Sequence, residues 1–187
     1  MIDLPGQLRI QARANRLANH RLHAAVATLP RSDFHAPRAS FFPSLAGTLN
    51  HILAVDTYYL DALTGEPAMV ARYRAFQPAK VATALAERQA TNDERLIVFC
   101  DGLDAESCAA EVAMDRGDHV QRDRVAHVLA HLFMHQTHHR GQAHGMLSST
   151  AAAPPQLDEF LMPSEAHLRS AEMAALGWRE DRVYGAR

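Results

Sequence analysis

Of the 187 residues, 12 are histidines, and seven of these fall between His119 and His144. The stretch VAHVLAHLFMHQTHHRGQAHGML carries most of them. Projected at about 100° per residue, His135 and His139 are four apart on one helical face, so two neutral imidazoles there are close enough to share one cation. They sit at the edge of an apolar arc formed by Val125, Val128, Leu129, Leu132, Phe133, Ala143, Met146 and Leu147. His127, His131 and His138 project together on a more polar flank, read as facing solvent or another subunit. His144 lies beyond the other edge, near Arg140.

A third ligand has to come from another element. In TLNHILAVD, His51 projects onto the edge of a face made by Ser44, Thr48, Ile52, Val55 and Tyr59. Meeting His135 and His139 inside a bundle, it would complete a three-histidine set with coordination positions left open, as in a catalytic rather than a structural metal site. The same spacing also suits histidines packed in a core and bonded to backbone or tyrosine, and spacing alone leaves both readings standing. His20, His23, His35, His119 and His167 belong to no motif.

Missing motifs narrow the chemistry. HQTHH puts Gln136 where a zinc peptidase of the HExxH type has its glutamate, and the repeated ExxH of di-iron bundles is absent. There is no GxSxG, GxGxxG or phosphate-binding loop, and Cys100 and Cys108 form no CxxC pair. Asp56, five residues after His51, is a candidate proton shuttle, or else it caps or solvates its own helix.

Four long helical segments must position these residues. The first runs from Gln7 to Leu29 ahead of Pro30, and the second from Ser44, a candidate N-cap, to Leu63 before Gly65. The third covers Lys80 to Leu103, and the fourth Asp123 to Leu147. A shorter helix from Ser164 to Leu176 is expected on the outside or against a partner subunit, and Glu111 to Arg122 reads as a short hairpin or an irregular crossing. The fold class is therefore all-α: one domain over residues 1–187, an up-and-down four-helix bundle with an additional C-terminal helix.

A net charge of -2 with 48% apolar residues supplies no field for nucleic acid, and no apolar run reaches membrane-spanning length. The N-terminus lacks the apolar core of a signal peptide, and the two cysteines suit a reducing compartment. A soluble cytoplasmic protein is expected, with no nucleic-acid or membrane partner.

Taken together, ARANRLANHRLHAAVATLP, SLAGTLNHILAVDTYYLDAL, HLFMHQTHHRGQAHGMLSS and APPQLDEFL resemble the DinB family of the DinB/YfiT-like metalloenzyme superfamily. The resemblance implies a four-helix bundle, often dimeric, with a divalent metal, zinc or nickel, on three histidines. At matching positions these are His51, His135 and His139. It also implies a role for Arg140, Gly141 and Gln142 in orienting ligands or capping the site, the alternative being helix-end packing. The wider superfamily includes thiol-dependent transferases and isomerases. The resulting expectation is a metal-dependent enzyme acting on a small molecule, with S-transfer from a low-molecular-weight thiol its most concrete form. The alternatives are a metal-dependent hydrolase and a non-catalytic, stress-associated dimeric bundle that binds a metal or ligand. Tyr58, Tyr59, Phe41 and Phe42 are candidates to line a pocket or to fill the core.

Overall fold

The computed structural model describes residues 3–184. Four long helices dominate: α1 (Leu4–Ala27), α3 (Leu45–Leu63), α5 (Ala82–Asp101) and α7 (Val125–Leu147). Their closest pairings are α1 with α5 and α3 with α7, and further contacts join α3 to α5 and α1 to α7. Short helices α2 (Arg31–His35), α4 (Met69–Arg74) and α6 (Ala105–Ala109) punctuate the connections. After α7 come a 3₁₀ turn, Pro163–Arg169, and helices α8 (Ser170–Ala175) and α9 (Glu180–Val183).

Local chemistry sets the ends of these helices. Asp3 Oδ1 accepts from the Gly6 amide at 2.8 Å, and Pro5 occupies the first turn, where its missing N–H is not needed, so α1 begins three residues before the expected Gln7. Ser44 caps α3 as expected, its Oγ accepting from the Gly47 amide at 3.0 Å. The chain leaves α3 through Gly65 at φ +71°, a left-handed conformation that glycine adopts without steric cost.

The all-α expectation fails in one place. β1 (Glu111–Asp115) and β2 (Val120–Arg124) pair antiparallel, with Ala113 opposite Arg122. Val112 and Met114 on alternate positions of β1 are buried in the core that also holds Tyr58, Leu129 and Leu132, whereas every residue of β2 is at least partly exposed. The hairpin is thus a half-buried flap laid over the long helices at the α7 N-terminus.

The interior is not purely apolar. Asn15 and Asn19 of α1, Asp56 of α3, Gln89 and Asp93 of α5, and Gln136 and Arg140 of α7 are all buried. Gln89 Nε2 donates to Asp56 Oδ2 at 2.9 Å and to Asp93 Oδ1 at 3.0 Å, and Asn19 Nδ2 donates to Asp93 Oδ1 at 2.9 Å. Arg140 donates to Asn15, to Gln136 Oε1 at 3.0 Å and to Asn19 Oδ1 at 3.1 Å. Burial raises Asp56 well above the ordinary carboxyl range and raises Asp93 to about 7, and it lowers Arg140 to about 10. These groups bond one another across four helices, although Asp56 Oδ1, Gln89 Oε1 and Gln136 Nε2 are buried without a partner among the described residues, and a single-helix projection does not reveal the layer.

The C-terminal segment packs on this chain's own α1: Phe160, Met173 and Val183 cover Ala14, Leu17 and Ala18. Arg21 ties it down through Glu159 and Glu172, each at 2.7 Å. Among the described residues, no helix is long and apolar enough to cross a membrane.

Candidate metal centre

His51 lies two turns into α3, and His135 and His139 lie near the middle of α7, one turn apart. Because α3 packs on α7, the three rings converge. The ring centroids of His51 are 5.0 Å from those of His135 and 4.6 Å from those of His139, and the last two are 4.5 Å apart. One nitrogen from each ring lies within 4.8 Å of the others, and the Nε2 atoms of His51 and His135 are 3.0 Å apart. Ligand nitrogens at 2.0–2.1 Å around a tetrahedral cation are separated by about 3.3 Å, and the His51–His135 pair stands close to that spacing.

The electrostatics favour lone pairs here. Burial, and then the charge that neighbouring rings would carry, lowers His51 and His135 to about 4; burial also lowers His139, against the bond from Gln142. Three neutral imidazoles therefore face one another at neutral pH. Nδ1 of His135 is buried with no hydrogen-bond partner, so the protein does not itself satisfy that nitrogen. Such a donor set suits a divalent cation, and its nitrogens suit zinc, nickel, copper and iron alike. No aspartate, glutamate or cysteine joins the cluster among the described residues.

Neighbouring side chains fix the rings. Gln142 Oε1 accepts from His139 Nδ1 at 2.8 Å, while Gln142 Nε2 donates to His138 Nε2 at 3.2 Å. That bond places the His139 proton on Nδ1 and leaves Nε2 as the lone-pair nitrogen. Phe42 stacks on His51 with centroids 4.2 Å apart and meets the edge of His139 at 5.6 Å. Its neighbour Phe41 is 82% exposed and makes no wall. A cleft of about 460 Å³ opens beside His51 between α3 and residues 76–80. Asn50 holds that loop in place, donating to the Ala79 carbonyl at 3.0 Å and accepting from the Ala79 amide at 2.7 Å.

Several expectations need revision. Arg140 turns into the buried polar layer, away from the histidines, so within Arg-Gly-Gln only Gln142 contacts the cluster. Asp56 neither caps nor solvates α3: it is 1% exposed and bonded to Gln89. His127, His131 and His138 are exposed, in keeping with a solvated flank, yet His131 also meets the edge of Tyr59 at 5.3 Å. His23, which carries no motif, is buried, and burial lowers it to about 4. Phe42 was legible only as one of an aromatic pair, because its role depends on the loop before α3.

The model of the DinB family matches residues 10–173, a span that contains His51, His135, His139 and Gln142. Protein DinB of Bacillus subtilis (strain 168) is 22% identical over 151 residues, covering 77% of this chain and 87% of that protein. The chain belongs to the DinB family.

Proposed function

We propose that His51, His135 and His139 hold one divalent cation, zinc or nickel, and that the protein is a metal-dependent enzyme acting on a small molecule. The observation that carries this reading is the convergence of three neutral imidazoles from two helices, with His51 lining an open cleft and no fourth protein donor among the described residues. Structural sites close their shell with four protein ligands, whereas sites that exchange a ligand keep a position free.

S-transfer from a low-molecular-weight thiol is the reaction that asks least of the remaining residues. A bound cation would lower the pKa of a thiol set against it, supplying thiolate at neutral pH. The chain then has only to hold the rings and admit the two reactants. Gln142 and Phe42 do the first and the cleft beside His51 the second. Hydrolysis asks for a proton acceptor as well. Asp56 is badly suited to that task, since it is buried away from solvent and its Oδ2 accepts from Gln89.

The same reading treats the four long helices as an up-and-down bundle within one domain, and the protein as a cytoplasmic homodimer without nucleic-acid or membrane partners. Sedimentation velocity tests the dimer directly. For the chemistry, protein purified without added metal is assayed for metal content, then for turnover with small thiols and an electrophilic acceptor. Turnover that follows metal content and disappears in His139→Ala supports the proposal; equal rates for wild type and His139→Ala rule it out.

A further inference from the structure

One to two turns along α3 from His51, a second cavity of about 300 Å³ is walled by α3, α4 and the hairpin. It adjoins the histidine site through neighbouring rings: His135 lies 6.3 Å from His131, and His131 lies 5.3 Å from Tyr59, a wall of that cavity. On α3, Val55 fills the turn between His51 and Tyr59 and lines the same cavity.

The composition of this cavity differs from that of the histidine site. Tyr58 meets Tyr59 at 5.4 Å and Tyr73 at 5.6 Å, both edge to face. The Arg116 guanidinium lies 5.2 Å from the Tyr58 ring centre and 5.5 Å from that of Tyr59. Its Nε donates to Gln121 Oε1 at 3.0 Å and its Nη2 to the Tyr59 hydroxyl at 3.3 Å, while Nη1 makes no hydrogen bond among the described residues. Arg74, at the end of α4, forms no ion pair or hydrogen bond among the described residues. Its Nη2 lies 3.0 Å from where a β-carbon on Gly117 would sit, so it rests on the hairpin turn that Gly117 makes at φ +95°.

The acidic wall residue, Asp115, is already engaged. Its Oδ1 accepts from the Gly117 amide at 2.8 Å and its carbonyl from the Tyr58 hydroxyl at 2.6 Å. Two guanidinium groups without a carboxylate partner, set among three aromatic rings, offer a planar anion both charge-assisted hydrogen bonds and an apolar bed.

We propose that the cavity formed by Tyr58, Tyr59, Tyr73, Arg74 and Arg116 is the subsite for a carboxylate-bearing, preferably aromatic, end of the substrate whose other end reaches the three histidines. This assignment rests on the metal-site reading for the substrate's head, while the subsite itself stands on its own residues. It makes the substrate a small acid, and it gives the hairpin a function as one wall of the binding groove.

The test uses two pairs of probes that differ only in charge. Cobalt-loaded protein is titrated with 4-mercaptophenylacetate and with 4-mercaptophenylacetamide, binding being read from the cobalt absorption bands. Metal-free protein is titrated with phenylacetate and phenylacetamide, read by saturation-transfer NMR. The acid is expected to bind about tenfold more tightly than its amide in both pairs. Arg116→Gln should bring the preference to about twofold or less, Arg74→Gln should reduce it in part, and Arg116→Lys should retain part of it, with the amide and cobalt affinities unchanged. Arg74 is exposed, so its substitution leaves the fold intact and keeps the result interpretable. Equal affinity for acid and amide in wild type, or a preference that survives in Arg116→Gln and Arg74→Gln, overturns the subsite. If the cobalt bands ignore both thiols while phenylacetate still binds and is lost in Arg116→Gln, the subsite holds and the metal reading fails.

Discussion

At the level of single side chains, the cluster depends on keeping three rings neutral and aimed at one point. Gln142 contributes by accepting the His139 Nδ1 proton, so Gln142→Ala frees that ring to rotate and to change tautomer. A cation affinity weakened about 10–100-fold is expected, measured by competition with a chelator of known strength. His23 makes a different prediction, about stability. Burial lowers it from 6.5 to about 4. Above pH 6.5 the ring is neutral in the folded and the unfolded chain and has no linkage effect. As pH falls from 6.5 to 4, the unfolded chain takes up a proton that the folded chain refuses, and stability drops, by about 2 kcal/mol at pH 5. Urea denaturation of His23→Leu at pH 7 and pH 5 should show that much less acid sensitivity than wild type. The pair His135 and His139 was legible because both lie on one helix, where spacing is geometry. His23 and Phe42 were not, since their surroundings come from other parts of the chain.

Among the elements, α3 carries His51 and is held at its start by Ser44. Ser44→Ala leaves the Gly47 amide without its acceptor and should cost about 1 kcal/mol in urea denaturation. His51 sits two turns further in, so cation affinity should stay within about threefold of wild type, since fraying is confined to the first turn. The long helices could be read in the sequence to within a few residues, because their apolar periodicity extends over five or six turns. The short ones, α2, α4, α6 and α9, span six residues or fewer and carry too little periodicity to register. The hairpin left a faint trace in Val112 and Met114, but its register with β2 is set by tertiary contact, as β2 shows no apolar alternation of its own. Most of the buried polar layer was invisible for a related reason: Asn15, Gln89, Asp93 and Gln136 look like surface residues until their partners on other helices are known.

For the molecule as a whole, the C-terminal segment is a cover clamped to α1, and the clamp is ionic. Arg21→Ala removes the shared partner of Glu159 and Glu172, both mostly buried, and leaves two carboxylates unpaired against α1. A loss of about 2 kcal/mol is expected, together with faster proteolysis beyond residue 150, read by mass spectrometry of the fragments. The histidine cluster lies on the α3 side of α7, so cation binding should persist in that variant. X-ray absorption at the zinc edge bears on the metal centre without passing through any assay of activity. Protein carrying one equivalent of zinc should show three imidazole nitrogens at about 2.0–2.1 Å, and an added thiol should introduce one sulfur at about 2.3 Å. Zinc bound through one imidazole or none, or a spectrum unchanged when His51 is replaced by alanine, would contradict the three-histidine centre.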